Sequence, residues 1–248
     1  MLRTRRLCEG VTVAFTGRAG GVSSEPFGTL NLSVGVGDDP AAVASNRDLV
    51  LRAVGPAAVR LAWMRQVHGT AVERVSELPG MKRPSEAGPA PQADAQYTEL
   101  PGVALGVLGA DCAPVLVADP IARIIGAAHA GRPGMAAGVV GALIGAMTEA
   151  GAEVRRMHAI IGPAVCGRCY EVPASMRDEV AAAVPGSQCT TRGGTPGIDL
   201  RAGLRGQLER LGVAAISDDA RCTAESDDLY SYRRDGTTGR FAGLIWLA

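Results

Sequence analysis

Apolar residues fall along this chain in two rhythms. Short runs of four to seven, rich in Val, Ile and Leu, cover residues 11–16, 61–67, 103–108, 114–118, 124–128, 157–161, 213–216 and 241–247. Runs of that length, bounded by Gly, Pro and Asp, predict strands. The three runs between 103 and 128 are apolar throughout, so those strands are expected to be buried on both faces. Asp111-Cys112 and Asp119-Pro120 separate them, which puts Cys112 at a bend. The second rhythm is helical. Val43, Val50, Leu51 and Val54 form a stripe after Asp39-Pro40, an N-cap followed by a proline suited to a first turn. Met176, Val180 and Val184 form another, and Leu200, Leu204, Leu208 and Leu211, behind the cap Asp199, a third. A fourth helix is expected over 133–150. Its Gly134, Gly138, Gly141 and Gly145 each weaken a helix by about 1 kcal/mol relative to Ala, which implies a helix pressed closely against a sheet. Residues 17–24 form a glycine-rich loop, and 79–93 an exposed loop rich in Pro, Gly and Ala.

Composition adds limits. The 248 residues show no internal repeat and no composition break, which predicts one α/β domain over 1–248. Basic and acidic residues balance at 25 each, so no overall field draws the chain to nucleic acid or to an anionic membrane. Arg3, Arg5 and Arg6 are expected to be a solvated, frayed terminus. No secretory leader follows them, since Leu7-Cys8-Glu9-Gly10 interrupts any apolar run. The longest charge-free helical stretch, 133–148, is shorter than the roughly 20 residues of a membrane span. Six dispersed cysteines in a chain of this size predict reduced thiols or ligands and a cytoplasmic setting.

The candidate chemistry lies at the ends of the predicted strands. The chain has three histidines. His68 ends one strand and His129 stands where another gives way to a helix, with Cys112 at the bend between them in sequence. One thiolate and two imidazoles can hold zinc with a fourth position open; a Cys and a His that meet can also form a nucleophile–base pair. Asp111, next to Cys112, is a proton-relay candidate or simply a strand-end cap. Arg18, the one cation of the glycine-rich loop, is either a grip for an anionic substrate group or a surface residue. Cys166-Gly-Arg-Cys169 has the C-x-x-C form, but no second such pair exists, and with Cys189 and Cys222 isolated it is taken as a packed loop. His158 lies within a strand and is taken as structural.

Several stretches together resemble the laccase-domain family, whose members also carry the names purine nucleoside phosphorylase and peptidoglycan editing factor. They are Thr16-Gly-Arg-Ala-Gly-Gly-Val-Ser23, Asn31-Leu-Ser33, Gln66-Val-His-Gly69, Ala93-Asp94-Ala95, Gly109-Ala-Asp-Cys112, Ala128-His-Ala-Gly131, Ile161-Gly-Pro163, Cys169-Tyr-Glu-Val172 and Ser231-Tyr-Arg-Arg-Asp-Gly236. The resemblance implies a layered mixed-sheet sandwich flanked by helices, similar to certain cysteine hydrolases. It implies a metal at His68, Cys112 and His129, with zinc suiting that donor set and copper also able to bind it. It implies phosphorolysis of purine nucleosides and deamination of adenosine, with nucleoside and phosphate as partners. Two alternatives stay open: a cysteine hydrolase acting on an amide, such as a cell-wall precursor, with Cys112 as nucleophile and His129 as base, and a copper polyphenol oxidase. Three histidines are too few for a multicopper centre. This chain also departs from the family's His-Ala-Gly-Trp-Arg-Gly, having Arg132-Pro133 in place of Trp-Arg.

Overall fold

The computed structural model describes residues 2–76 and 90–248, so most of the loop expected over 79–93 lies outside the described residues. In order, the elements are β1 (Leu2–Cys8), β2 (Val11–Thr16), α1 (Pro40–Val54), β3 (Ala58–Ala62), β4 (Val72–Arg74), β5 (Ala95–Thr98), β6 (Gly102–Gly109), β7 (Ala113–Asp119), β8 (Ile124–Ala130), α2 (Arg132–Ala137), α3 (Val139–Glu149), β9 (His158–Ile161), α4 (Ala174–Ala183), β10 (Gln188–Thr190), β11 (Pro196–Ile198), α5 (Leu200–Leu211), β12 (Ala215–Asp218), α6 (Tyr232–Asp235) and β13 (Phe241–Leu247). Two mixed sheets carry the fold, one ordered β1-β2-β13-β6-β3 and the other β12-β9-β7-β8-β5-β4.

The sheets stack face to face, and the period-two alternation of their strands shows it. Val13, Phe15, Leu105, Val107 and Ile245 of the first sheet meet Leu116, Ala118, Ile125, Ala127 and Ile160 of the second in one apolar layer. The neighbouring residues point the other way. Ala14, Ala104, Leu244 and Trp246 pack with Val50 of α1, and Val115, Val117 and Ala128 pack with residues of α2, α3, α4 and α5. The result is a helix–sheet–sheet–helix sandwich. The central strands are buried on both faces because each sheet is an inner layer, although most strand pairs are antiparallel. Gln96 of β5 also bridges the sheets, its Nε2 donating to Ala62 O and Gly106 O at 3.0 Å each.

Several expectations change. Leu2–Cys8 is an edge strand on β2, not a frayed end; Arg3 pairs with Asp228 and Arg5 donates to Ser217 Oγ at 2.6 Å. The strand before His68 ends at Ala62, and an irregular extended segment covers 63–67. Leu211 ends the α5 stripe largely exposed, at 39%. The helix expected over 133–150 is broken at Gly138, which takes a left-handed φ of 87° between α2 and α3. Three of its four glycines do not face the sheet: a Cβ on Gly138, Gly141 or Gly145 would meet nothing within 4 Å, while one on Gly134 would lie 3.4 Å from His129 O of β8. The close approach is made from the strand side instead, where a Cβ on Gly126 of β8 would fall 2.6 Å from Met147 Sδ.

Candidate metal centre

β6 and β7 are consecutive in the chain but belong to different sheets. The crossing is made by Ala110-Asp111-Cys112, and Asp111 bends it with a φ of 99°. This turn carries Cys112 to the end of β8, where His129 stands, and His68 arrives at the same point on the segment after β3. His68 also has a left-handed φ, 64°. Non-glycine residues seldom adopt such angles, and strained backbone concentrates at functional sites. The three ligand atoms of His68, Cys112 and His129 lie within 4.8 Å of one another. Cys112 Sγ is 3.7 Å from His68 Nε2, close to the roughly 3.6 Å that a sulfur and a nitrogen keep when they share a tetrahedral zinc ion. The cluster leaves no room for a side chain at Gly131, whose Cβ would sit 2.7 Å from Cys112 Sγ and 2.9 Å from His68 Cδ2.

One carboxylate organises both histidines. Asp94, fully buried just before β5, accepts from His129 Nδ1 at 2.8 Å, which leaves His129 Nε2 to the cluster. The same carboxylate accepts from the backbone N–H groups of Val67, His68 and Gly69 at 2.7–3.1 Å. It therefore fixes the ring of one histidine and the main chain of the other. Carboxylate–histidine pairs of this kind hold metal ligands in orientation. Asp94 was visible in sequence only as part of a family-like stretch and was not picked out as a site residue.

The electrostatics agree with the geometry. Burial alone would push the Cys112 thiol up, but hydrogen bonds from His129 and His68 outweigh it and bring it down to about 6. Burial likewise disfavours the His129 imidazolium, yet Asp94 and the Cys112 sulfur raise it to about 9. Without a metal, the pair is a thiolate beside an imidazolium at neutral pH.

The cluster opens into a cavity of about 1320 Å³. Asp111 lines it, but its carboxylate is already engaged. Oδ1 accepts from Thr223 Oγ1 at 2.6 Å and Ser231 Oγ at 2.7 Å, and Oδ2 from the Arg233 amide at 2.6 Å. Arg18 is not brought to the cavity. Its guanidinium lies 3.6 Å from Asp235 and over the ring of Tyr230, and it is not among the residues that line the cavity. The cations that do line the cavity include Arg132 and Arg233, which flank Tyr170: Arg132 is within hydrogen-bonding reach of its side chain and Arg233 stacks 5.1 Å from its ring centre. Sequence reasoning missed both, although Arg132 marks the departure from the family pattern and Arg233 lies in a family-like stretch. His158 sits in β9, paired with Ala118 and Ala215 and away from the cavity. Cys222, expected to be isolated, lies beside Cys166 and Cys169 in a second cluster with Glu225.

Residues 12–248 match the family described as multi-copper polyphenol oxidoreductase laccase. The purine nucleoside phosphorylase SCO2081 of Streptomyces coelicolor is 51% identical over 247 residues, 100% of both chains. The purine nucleoside phosphorylase Rv2149c of Mycobacterium tuberculosis is 52% identical over 232 residues, 94% of this chain and 90% of that one. Among solved structures, Neisseria meningitidis protein NMB0706 matches with a TM-score of 0.86 at 36% identity, over 99% of this chain and 98% of its own.

Proposed function

Because the chain belongs to the multi-copper polyphenol oxidoreductase laccase family, and because its His–Cys–His cluster opens into an arginine-lined cavity, we propose that it is a zinc-dependent purine nucleoside phosphorylase that also deaminates adenosine. The observation that carries this reading is the convergence of His68, Cys112 and His129, with Asp94 directing the His129 ring. Three protein ligands of N, N and S type fit zinc with one position open to the cavity. When bound there, the metal supplies a Lewis acid at the cavity wall.

The remaining roles belong to the chain. Asp94 keeps His129 Nε2 and the His68 backbone in place. Arg132 and Arg233 bring positive charge to the wall around Tyr170, and guanidinium groups match the oxygens of phosphate in a fork geometry. Tyr232, 63% exposed at the rim of the cavity, offers an aromatic face for the purine. Asp111 enters as a positioning residue: its three hydrogen bonds hold the sheet-to-sheet crossing that presents Cys112. Against oxidase chemistry stand the count of three histidines and the placement of His158 in β9, since a multicopper centre draws on many more imidazoles.

A second reading has its own support. A thiolate beside an imidazolium, with a carboxylate on the far ring nitrogen, is also the arrangement of a cysteine nucleophile. The deciding experiment assays tag-free protein, never exposed to chelator, for base release from inosine and adenosine with and without phosphate, and measures its metal content. Phosphate-dependent release that a chelator abolishes supports the phosphorylase. Chelator-insensitive turnover of an amide with an acyl group trapped on Cys112 moves the assignment to the hydrolase.

A further inference from the structure

Next to the cavity wall formed by Val165 and Tyr170, but with none of their four ligand-bearing side chains in it, two short turns meet. One is Cys166-Gly-Arg-Cys169, closed by the Cys169 and Tyr170 amides donating to Cys166 O at 2.9 and 3.0 Å. The other is Cys222-Thr-Ala-Glu225, closed by the Glu225 amide donating to Cys222 O at 3.1 Å. Each turn places two metal-binding side chains three residues apart, the spacing at which paired ligands serve structural zinc sites. The turns are held together by a parallel bridge between Ala164 and Cys222, by the Thr223 amide donating to Ala164 O at 3.2 Å, and by the Cys166 amide donating to Cys222 Sγ at 3.3 Å. The ligand atoms of Cys166, Cys169, Cys222 and Glu225 all lie within 4.8 Å of one another.

We infer that Cys166, Cys169, Cys222 and Glu225 bind a second zinc ion, a structural one, which clamps the two turns together. Four protein donors close the coordination sphere, and a closed tetrahedral site is structural where an open one is catalytic. Sulfurs sharing a zinc ion lie about 3.8 Å apart, so the cluster needs to contract by no more than about 1 Å. A pair of cysteines would suffice for a disulfide; a third thiol and a carboxylate converging on the same point call for a cation. As the ion binds, three thiol protons leave to solvent, and three thiolates with one carboxylate leave two net negative charges on the site. Arg192, which donates to Glu225 Oε1, offsets one of them and leaves Oε2 for the metal.

The clamp reaches the catalytic wall through the residues next to its ligands. Val165, before Cys166, donates its amide to Asp111 O at 3.0 Å. Thr223, after Cys222, donates its hydroxyl to the Asp111 carboxylate. Tyr170, after Cys169, lines the cavity. The zinc therefore steadies the crossing that carries Cys112 without touching substrate.

The test is a metal count by mass spectrometry on folded, tag-free full-length protein. Wild type is expected to hold close to two zinc ions per chain. The His68→Ala/His129→Ala double variant is expected to keep one, because only the open centre is lost; that arm is independent of what the open centre catalyses. Cys169→Ser/Cys222→Ser is expected to lose one. Should that variant fail to fold, wild-type protein supplies the second measurement: Cys166, Cys169 and Cys222 should resist alkylation until a chelator removes the metal. A folded His68→Ala/His129→Ala protein with no zinc overturns the inference. So do thiols that alkylate at the same rate with and without chelator, and so does a Cys166–Cys169 disulfide in protein purified under reducing conditions.

Discussion

Among the described residues, cysteine comes together with other metal-ligating side-chain types in two places, and the two differ in almost every physical respect. The His68–Cys112–His129 cluster has three donors, two of them imidazoles, and faces a large cavity. It is braced by a buried aspartate and built on strained backbone at His68 and Asp111. The Cys166–Cys169–Cys222–Glu225 cluster has four donors, three of them sulfur, sits on two relaxed turns and lines no part of the cavity. An unfilled coordination position and a stored strain are what chemistry uses; a filled sphere on regular turns is what stability uses. The contrast teaches that cysteine content alone says little, and that the number of converging donors and the cavity beside them separate the two roles.

The strongest way to break this comparison is to remove one ligand from each cluster. His68 is exposed, so His68→Ala is expected to cut kcat/KM for phosphorolysis by more than the roughly 10–100-fold that outer partners of metal ligands cost. Its melting temperature should move by less than about 3 °C, the equivalent of about 1 kcal/mol for a chain of this size. Cys222→Ser should do the reverse. It should lower the melting temperature by more than that, because structural metal binding contributes to folding free energy, and reduce kcat/KM far less than His68→Ala does. Calorimetry and steady-state kinetics on the two variants, side by side, decide it. Equal thermal losses would show that the clusters share one role.

Asp94→Asn sharpens the difference next. The carboxylate takes four donors, and an amide keeps one acceptor oxygen while turning an NH2 toward the rest. His129 would lose its orientation, and a 10–100-fold fall in zinc affinity at the open centre is expected, read by competition with a chromophoric chelator. The second zinc count should not change. An unaltered affinity would mean that packing, not Asp94, aims the His129 ring.

How much of this was legible in the chain follows from which interactions are local. The strands at 11–16 and 241–247 and the caps Asp39 and Asp199 were readable because run length and capping act over a few residues. The laccase-like motifs point to His68, Cys112 and His129 as one group, and the structure brings their ligand atoms within 4.8 Å of one another. The sheet-to-sheet crossing at Asp111 was not readable, since β6 and β7 look like any consecutive pair of strands until the 99° φ separates them. β1 was hidden because an edge strand exposes most of its residues, and arginines there also guard a free edge. Arg18 stood out in sequence because glycines isolate it, whereas Arg132 and Arg233 reach one wall from α2 and α6, about a hundred residues apart. Cys222 likewise comes beside Cys166 only through a long-range bridge, Ala164 to Cys222, beyond the ends of β9 and β12.

Proton release gives a finer test of the open centre. Without metal, Cys112 is a thiolate above about pH 6 and His129 stays protonated up to about pH 9. A metal needs the thiolate and a neutral imidazole. Between those two values each ion that binds there should therefore expel about one proton, from His129, and the apparent affinity should rise about tenfold per pH unit. Below pH 6 the rise should steepen as the thiol also gives up its proton; above pH 9 it should flatten. Titration calorimetry of Cys169→Ser/Cys222→Ser protein in two buffers of different ionisation enthalpy measures the number directly. No proton released at pH 7.5 would mean that His129 is neutral before the metal arrives, and that Asp94 orients it without charging it.

The arginines test which wall holds phosphate, and they include the smallest expected effect, that of Arg18→Ala. Arg233 lines the cavity beside Tyr170, so Arg233→Ala should raise the phosphate KM by about 10- to 150-fold, the loss of a charged hydrogen bond of about 1.5–3 kcal/mol. Deamination consumes no phosphate and should change much less. Arg18→Ala should alter the phosphate KM by less than about twofold, because its guanidinium faces Asp235 and the Tyr230 ring instead of the cavity. Its cost should appear as stability, at most about 1 kcal/mol for a partly exposed ion pair. Measuring both KM values and both melting temperatures in one buffer separates a binding role from a bracing one. If Arg18→Ala raised the phosphate KM tenfold and Arg233→Ala left it alone, phosphate would bind at the glycine-rich loop, and the cavity wall around Tyr170 would need another ligand.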